Sequence, residues 1–308
     1  MITRFSFEGK KVLVTGGAGF IGSHTVDALI GEGANVVVVD NMSSGEEGNI
    51  HPLARVYDIN IADVEFEKVL EEERPDIIYH LAWFVAPHQS GMSVMKYVDS
   101  VVGSLRILEK LKEIGVEKVI FSSSGFLYGE SCFPPAKESM GVRLLSAYSA
   151  SKYAVENYLE YFYHVHAIPY VILRYSTVFG PRQTSGAVAD YVAKLREGKQ
   201  AEIWGDGSAS RDYVYVADVV RANLLAMIAP DDCGSPIYNV STKMETTLNS
   251  MYGKIAYLLH KDFSPVYHPS RPEEIRRLVL DNSKIEKYLG WYPTFSLDEG
   301  LSLYLGSL

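Results

Sequence analysis

The feature that most constrains the fold is a run of glycines between a short apolar strand and a helix. Lys11 to Thr15 is an apolar, β-branched run, Gly16, Gly19 and Gly22 follow, and residues 23–31 have a helical pattern. Strand, glycine turn and helix in this order predict a βα unit.

The same alternation continues through the first half of the chain. Further apolar strands are predicted at residues 35–40, 76–81, 118–123 and 170–174, with helical patterns at 66–73 and 94–114. Alternating strands and helices predict a parallel sheet with helices on both faces, which is the Rossmann-type, doubly wound α/β fold.

The chain changes character near residue 175, where glycine and proline begin to punctuate shorter elements. We therefore predict a Rossmann domain over residues 1–174 and a smaller C-terminal α/β lobe over residues 175–308. The strand-like segment 237–240 is expected to return to the first sheet, which would interleave the lobes. Ser283 and Ser296, each followed three residues later by Glu, predict capping boxes at two helix starts.

The glycine spacing fits the backbone requirements of a bound dinucleotide. Gly16 permits a tight turn, Gly19 lets backbone N–H groups approach a pyrophosphate, and Gly22 lets the helix pack closely on the sheet. A glycine turn without a ligand is the alternative. The position at a strand-to-helix corner, and the acid Asp40 about 20 residues on, favour the dinucleotide.

Asp40 closes the second predicted strand and is expected to bind both ribose hydroxyls and to repel a 2′-phosphate. Asn41 beside it supplies no cation, so NAD is favoured over NADP. Asp58 and Ile59 follow a short strand, and we expect them either to cradle adenine or to be ordinary loop residues.

Tyr148 and Lys152 lie four residues apart, on the same face of a predicted helix. Lowering a phenol pKa from near 10 by about three units requires about 4 kcal/mol, which an ammonium and a positive nicotinamide ring would supply in a low-dielectric cleft. Such a pair also occurs on solvated helices. In company with the glycine loop and the strand end at 122–124, it indicates redox chemistry on an alcohol.

Composition narrows the function further. The formal charge of −9 argues against a nucleic-acid partner, because phosphate binding needs clustered Lys and Arg.

Cys132 and Cys233 are far apart and predict free thiols in a reducing compartment, by default the cytoplasm. No stretch of 18 apolar residues predicts a membrane span. His164 and His166 point apart on a helix, so no metal site is expected.

Many of these residues belong to motifs that occur together in one family. The motifs are Thr15 to His24, Asp40–Asn41, His80 to Ala82, Ser122 to Gly129, Tyr148 with Lys152, Arg174–Tyr175, Gly180 to Arg182, Arg211 to Val214, Arg271–Pro272 and Leu289 to Pro293. On them, from Val12 almost to the C-terminus, the chain resembles the extended short-chain dehydrogenase/reductases. Within that family it is most similar to the NAD-dependent nucleotide-sugar epimerases of the UDP-galactose (UDP-glucose) 4-epimerase type.

The resemblance implies roles for individual residues. Tyr148 is expected to take a hydroxyl proton from the substrate, Lys152 to orient the nicotinamide ribose and stabilise the phenolate, and Ser124 to hydrogen-bond the same hydroxyl. Further cofactor contacts are implied for Phe20, Ile21, Leu81, Ala82, Ser122 and Tyr175. Substrate contacts are implied for Thr177, Val188, Trp204, Arg211, Arg271 and Glu274.

Some of these substrate roles have a plain physical basis. Arg211 and Arg271 are expected on the nucleotide diphosphate, because a guanidinium fork suits phosphate oxygens, although surface ion pairing is the alternative. Trp204 is expected either near uracil or in the core. Glu274 is expected to accept a hydrogen bond from a ribose hydroxyl.

Gly125 and Phe126 separate branches of the family. Sugar dehydratases and decarboxylating relatives carry an acid at this position. Because this chain has no acid there, epimerisation or simple oxidation remains as the expected reaction. The chain also departs from the family's usual residues near the expected nicotinamide and sugar, at Trp83, Phe84, Ser100, Thr177 and Leu278. These changes leave the identity of the sugar open.

The helix that begins near Tyr148 carries more aromatic side chains than one face can bury internally: Tyr153, Tyr158, Tyr161, Phe162 and Tyr163. The resemblance implies a homodimer formed through this helix, near 148–165, and the helix near 94–114.

The first hypothesis is epimerisation at C4 of a UDP-sugar through a transient 4-keto intermediate, with NAD retained throughout. The alternative within the enzyme class is a nucleotide-sugar dehydrogenase or reductase that exchanges NAD(H). The alternative from another class is a catalytically silent NAD-binding sensor, which the presence of both Tyr148 and Lys152 disfavours.

Overall fold

The structure, a computed structural model, describes residues 7–85, 93–130, 135–229, 236–270 and 275–308. The helices are α1 (Phe20–Gly31), α2 (Glu65–Glu73), α3 (Val98–Ile114), α4 (Ala147–His166), α5 (Ala187–Arg196), α6 (Val216–Met227), α7 (Leu248–Leu258), α8 (Ser283–Leu289) and α9 (Leu297–Gly306). The strands are β1 (Lys11–Thr15), β2 (Asn35–Asp40), β3 (Arg55–Asp58), β4 (Ile77–His80), β5 (Lys118–Ser124), β6 (Tyr170–Tyr175), β7 (Thr177–Phe179), β8 (Glu202–Trp204), β9 (Ser210–Tyr215), β10 (Ile237–Val240), β11 (Glu245–Thr247), β12 (Val266–His268) and β13 (Arg277–Leu278).

Seven parallel strands form the large sheet, in the order β10-β6-β5-β4-β1-β2-β3. The strand order reverses between β1 and β4, whose last residues Thr15 and His80 are register partners. Open parallel sheets bind ligands at such a switch point, beyond the carboxyl ends of the strands. The topology therefore places a ligand crevice next to Thr15.

The strands of the large sheet bury both of their faces. Along β1, Val12 and Val14 join one core while Leu13 joins the other. Helices α1 and α6 contribute to the first core, and α2, α3 and α4 contribute to the second. The predicted Rossmann-type, doubly wound sheet is confirmed.

A smaller lobe follows β6. Strands β7, β9, β11 and β13 form one sheet and β8 pairs with β12. Helices α5, α7 and α9 pack with them around a third core. Strand β10 pairs with β6 in the large sheet, as expected for segment 237–240. The division into lobes at residue 175 stays a prediction.

One of the two predicted capping boxes is present. The Ser296 side chain accepts from the Glu299 backbone, and the Glu299 side chain accepts in return from the Ser296 backbone, at the start of α9. The box predicted at Ser283 is wrong, because α8 already begins at that residue. The side chain of Asp281 accepts from the Ser283 backbone at 2.8 Å and thereby takes the role of the cap.

No helix in the described ranges is both long enough and apolar enough to cross a membrane.

Candidate active site

The turn between β1 and α1 has no room for side chains at Gly16 and Gly22. A Cβ on Gly22 would lie 1.9 Å from the Gly16 carbonyl oxygen, and one on Gly16 would lie 2.7 Å from the backbone nitrogen of Ala82. Gly16 also adopts φ +74°, which favours glycine. Gly19 caps α1 without a side-chain acceptor, so first-turn N–H groups are left for a ligand. This geometry fits a pyrophosphate.

Asp40 lies at the carboxyl end of β2, beside the glycine turn. Its carboxylate oxygens accept from the backbone N–H groups of Ala18 and Met42, both at 3.0 Å. Burial raises the pKa of Asp40, and these two hydrogen bonds oppose that shift. Each oxygen keeps acceptor capacity for a ribose hydroxyl, so the site fits the cofactor predicted from the sequence.

The predicted adenine contacts lie beside Asp40. Asp58 is its register partner on β3, and the Ile59 backbone donates to the Asp40 carbonyl at 3.1 Å. The amide oxygen of Asn41 accepts from Ser43, which commits it to its own turn. The structure thus brings Asp40, Asn41, Asp58 and Ile59 together at one end of the crevice.

The predicted catalytic pair forms a direct contact. Ser124 ends β5, Tyr148 lies in the first turn of α4, and the Ser124 side chain is near enough to the phenol to lower its pKa. A capping box of Ser146 and Ser149 fixes the start of α4. Burial raises the pKa of Tyr148 to about 12, while the Ser124 hydrogen bond acts in the opposite direction.

Lys152 lies one turn further along α4 and is buried. Its Nζ donates to the Ser122 carbonyl at 2.6 Å and contacts Ser122 Oγ at 3.4 Å. Burial lowers the pKa of Lys152 well below its ordinary value, and the charge of Glu156 opposes this shift. The residues of the protein alone therefore hold Tyr148 as a neutral phenol. A further positive charge in the crevice is needed to favour the phenolate.

The loop after β4 closes the crevice from the other side. The backbones of Leu81 and Ala82 donate to Thr15, at its carbonyl and its Oγ1 respectively. Phe20 and Ile21 open α1, and Ser122 Oγ donates to the His80 carbonyl at 3.2 Å. These residues surround the glycine turn, where the resemblance places the cofactor.

Tyr175 is positioned differently from the other predicted cofactor residues. Its hydroxyl donates to Asn223 Oδ1 at 2.6 Å inside the core. Since this hydrogen bond engages the hydroxyl, the predicted role of Tyr175 in cofactor binding is left to its ring or backbone.

The motifs did not single out Tyr97, and they marked Trp83 only as a departure from the family. The Tyr97 ring meets Tyr148 edge-on, at 6.1 Å between centroids. The Tyr97 hydroxyl and the Trp83 Nε1 are buried, and neither has a hydrogen-bond partner within the part of the chain that the structure describes. Buried donors are normally satisfied, so these two indicate a site that a ligand completes.

Arg211 connects the smaller lobe to the catalytic strand. It lies on β9, its Nη1 donates to the Ser210 carbonyl at 2.8 Å, and its guanidinium carbon is 5.9 Å from the centre of the Phe126 ring. Phe126 is two residues from Ser124 and donates its backbone N–H to Ser124 Oγ. Arg211, which the sequence predicts to bind the diphosphate, thus lies near the strand end that carries Ser124.

Unsatisfied hydroxyls cluster near the predicted substrate residue Thr177. Thr177 starts β7 and is the register partner of Tyr213 on β9. The hydroxyls of Ser176, Thr177 and Tyr213 are buried, and no partner for them lies among the described residues. Three such groups at the junction of the lobes are consistent with a polar ligand at this position.

The remaining predicted substrate residues differ in their surroundings. Val188 is 1% exposed, and its side chain packs in the core of the smaller lobe, which leaves only its backbone for a ligand. The Trp204 ring stacks on His268, with 4.8 Å between centroids. The stack adjoins an open pocket lined by Gly205, Asp206, Tyr267, Pro269 and Ser270. Arg271 and Glu274 lie outside the described residues, as do Cys132 and Cys233.

The Leu280 side chain packs over the turn that follows Ser124. A Cβ on Gly125 would lie 2.7 Å from Cδ1 of Leu280. Leu278 is 2% exposed and packs in the same cluster as Leu280, with Phe126 against it. A side chain at position 125 would therefore have to displace the Leu280 methyl groups, and Gly125 itself carries no carboxylate.

A buried ion pair supports the catalytic helix, and the sequence motifs did not identify it. Glu156 lies one turn after Lys152 and accepts from Arg174 Nε at 3.0 Å and Nη2 at 2.6 Å. Ser123 donates to the same carboxylate, and Arg174 Nη1 donates to the Tyr128 hydroxyl at 2.9 Å. The signal available in the sequence was the spacing of Tyr148, Lys152 and Glu156 at i, i+4 and i+8.

Comparison with known proteins agrees with this site. The NAD dependent epimerase/dehydratase family matches residues 12–241. A UDP-glucose 4-epimerase of Mycolicibacterium smegmatis is 36% identical over 310 residues, covering 95% of this chain and 96% of the relative.

Two solved structures extend the similarity to the whole fold. The UDP-glucose 4-epimerase of Thermotoga maritima, solved with UDP-glucose, is 41% identical with a TM-score of 0.92, over 96% of this chain and 98% of that one. The UDP-glucose 4-epimerase of Thermus thermophilus, in complex with NAD, is 34% identical with a TM-score of 0.90, over the same shares. The chain belongs to the NAD-dependent epimerase/dehydratase family, within the extended short-chain dehydrogenase/reductases.

Proposed function

We propose that this chain is an NAD-dependent UDP-sugar 4-epimerase that acts on sugars of the UDP-galactose/UDP-glucose type. The observation that carries the proposal is the approach of the Ser124 side chain to the Tyr148 phenol, with Lys152 buried one turn away. The similarity to UDP-glucose 4-epimerases over nearly the whole chain supports the same conclusion.

NAD+, when bound at the glycine turn and Asp40, supplies a hydride acceptor and a positive charge beside Tyr148. The protein residues move the proton. Tyr148 removes it from the C4 hydroxyl, Ser124 holds that hydroxyl through a hydrogen bond, and the Lys152 ammonium stabilises the phenolate. The product of this half-reaction is a 4-keto sugar.

Epimerisation then requires that the keto sugar turns over while its nucleotide stays bound. Arg211, on β9 and near the turn that follows Ser124, is the residue that we propose holds the diphosphate. Rotation about the bond to the diphosphate presents the other face of C4. The hydride would return to C4 on that face from the reduced cofactor, and Tyr148 gives its proton back to the C4 oxygen, which becomes the new hydroxyl. There is no net oxidation, so the cofactor needs no exchange.

The closed turn at Gly125 separates this function from those of related branches. Loss of water or carbon dioxide from an oxidised sugar needs an additional acid or base near the ring. Gly125 carries none, and Leu280 occupies the space in which a side chain would extend. Return of the proton and hydride is then the outcome that this site favours.

The test is conversion without added cofactor. Purified protein is incubated with UDP-galactose, UDP-glucose and their N-acetyl forms, and the anomeric and C4 proton signals are followed by NMR. We expect interconversion of at least one pair with no added NAD and no net change in absorbance at 340 nm. Turnover only with supplied NAD+, accompanied by rising absorbance at 340 nm, would instead identify a dehydrogenase.

We also propose that the enzyme is a cytoplasmic homodimer. Helices α3 and α4 pack side by side. They and the short turn before α3 leave large apolar side chains exposed: Val94, Met95, Val98, Tyr158, Tyr161, Tyr163 and Val165. An apolar patch of this kind on two adjacent helices is typical of an interface, and the resemblance assigns it to a second copy of the chain.

Replacing Tyr161 with Glu is expected to shift the protein from dimer to monomer, because it buries a charge in the proposed interface. Tyr161 is 51% exposed, so the substitution leaves the core of the monomer intact. Light scattering after gel filtration gives the mass. Tyr257→Glu, at a 79% exposed tyrosine on α7, is the control and should stay dimeric. Equal masses for both variants would contradict this interface.

A further inference from the structure

Lys152 is a charged group in an almost fully buried position. It is 2% exposed, and Ser122 supplies the only two hydrogen-bond acceptors that its Nζ meets among the described residues. The other sides of the ammonium face aromatic rings. The Trp83 ring centroid is 4.0 Å from Nζ, and that of Phe121 is 4.8 Å away. Both distances lie within the range of a cation–π interaction.

The indole of Trp83 is held in this position by its neighbours. The Ala82 backbone donates to Thr15 Oγ1 at 3.2 Å, and the Phe84 backbone donates to Ser100 Oγ at 3.1 Å. The Trp83 ring also meets the Phe121 ring edge-on, at 5.8 Å between centroids. The backbone on both sides of Trp83 is thus anchored, and its ring packs against Phe121.

The other titratable groups around Lys152 give its charge little support. On α4, Glu156 forms a bidentate ion pair with Arg174. Tyr148, on the same helix, is a neutral phenol in the absence of a further cation. On β4, His80 is neutral, because burial and then the nearby lysine lower its pKa to about 3. Tyr97, before α3, packs against Tyr148 and is also uncharged at neutral pH, because burial raises its pKa.

We propose that Trp83 is a positioning residue for the reaction, whose indole face keeps the Lys152 ammonium charged next to Tyr148. The inference rests on the proposed epimerase function, and it assigns a purpose to a bulky residue at a position where the family usually has a small one. Phe121 offers a second, more distant ring on the same cation. Trp83 acts through Lys152 and needs no contact with the substrate.

The test compares two substitutions of similar size. Trp83→Phe keeps an aromatic face toward the ammonium, whereas Trp83→Leu keeps apolar bulk without one. The active form requires a phenolate and an ammonium together, so loss of the ring lowers the pKa of Lys152 and the activity is lost at lower pH. In Trp83→Leu we expect the descending limb of kcat against pH to move down by about one pH unit. In Trp83→Phe it should move much less.

A second measurement does not depend on activity. The chain has three tryptophans, and ¹⁵N labelling of their indoles gives one signal each. The Trp83 signal, assigned by its loss in Trp83→Phe, should titrate with pH in the unmodified protein and cease to titrate in Lys152→Met. Trp291, which donates to the Asp218 carbonyl at 2.9 Å, is the internal reference and should not respond.

The outcomes distinguish failure of the proposed epimerase function from failure of the proposed role of Trp83. An inactive protein whose Trp83 signal follows Lys152 would remove the epimerase function but leave the contact standing. If the descending limb of kcat against pH stays in place in Trp83→Leu and only the value of kcat falls, Trp83 has a merely structural role. This result would overturn the inference. A limb displaced equally in Trp83→Phe and Trp83→Leu would also overturn it.

Discussion

Tyr148→Phe is expected to lower kcat for epimerisation by about 10²- to 10⁴-fold, which is the contribution of a positioned general base. The substitution removes one oxygen and leaves the ring against Tyr97. Ser124 loses the phenol as a neighbour but keeps the Phe126 backbone N–H at its Oγ, and Ser151 Oγ still donates to the Tyr148 carbonyl at 2.8 Å. Turnover is followed by NMR with the sugar pair that the unmodified protein converts.

The comparison needs a control in which a tyrosine hydroxyl is removed outside the crevice. Tyr257 is 79% exposed on α7, so Tyr257→Phe makes the same chemical change outside the crevice and should retain full activity. Bound NAD is measured in both variants by mass spectrometry after denaturation, because loss of cofactor would imitate loss of the base. Tyr148→Phe with normal NAD content and normal turnover would exclude Tyr148 as the base.

Local signals predicted the parts of the fold that depend on few neighbours in sequence. The glycine turn was predictable because the Gly22 and Gly16 contacts exclude any side chain, and the strand at 237–240 because a short strand-like run follows Gly234 and Pro236 in the sequence. The predicted box at Ser283 failed because its backbone is capped by Asp281, and a serine three residues before a glutamate does not reveal that competitor.

The site was predictable where the chemistry needs particular residue types. Ser124, Tyr148 and Lys152 come from strand and helix ends whose order along the chain the periodicity indicates. The role of Trp83 was not predictable, because its contact with Lys152 depends on β4 lying next to β5 in the sheet. The core location of Val188 was equally hidden, since the packing of α5 against α7 decides it.

The ion pair of Glu156 and Arg174 is expected to be the largest single electrostatic contribution to the stability of the catalytic helix. Glu156 and Arg174 are 4% and 3% exposed, and the pair joins α4 to β6. Glu156→Gln keeps the shape of the side chain but leaves the Arg174 charge buried without a counter-ion. We expect the free energy of unfolding, measured by urea denaturation, to fall by about 3–5 kcal/mol.

The control lies one turn further along the same helix. Glu160 is exposed and 4.0 Å from His164, so Glu160→Gln should change the free energy of unfolding by less than about 0.5 kcal/mol.

The double variant Glu156→Met/Arg174→Met tests why Glu156→Gln lowers the free energy of unfolding. Removing both charges also removes the cost of burying them, so this variant should be more stable than Glu156→Gln despite lacking more hydrogen bonds. If instead the double variant is less stable than Glu156→Gln, the lost hydrogen bonds to Ser123 and Tyr128 cost more free energy than the uncompensated charge of Arg174. The pair would then stabilise the site through its network of neighbours and not through the compensation of a buried arginine.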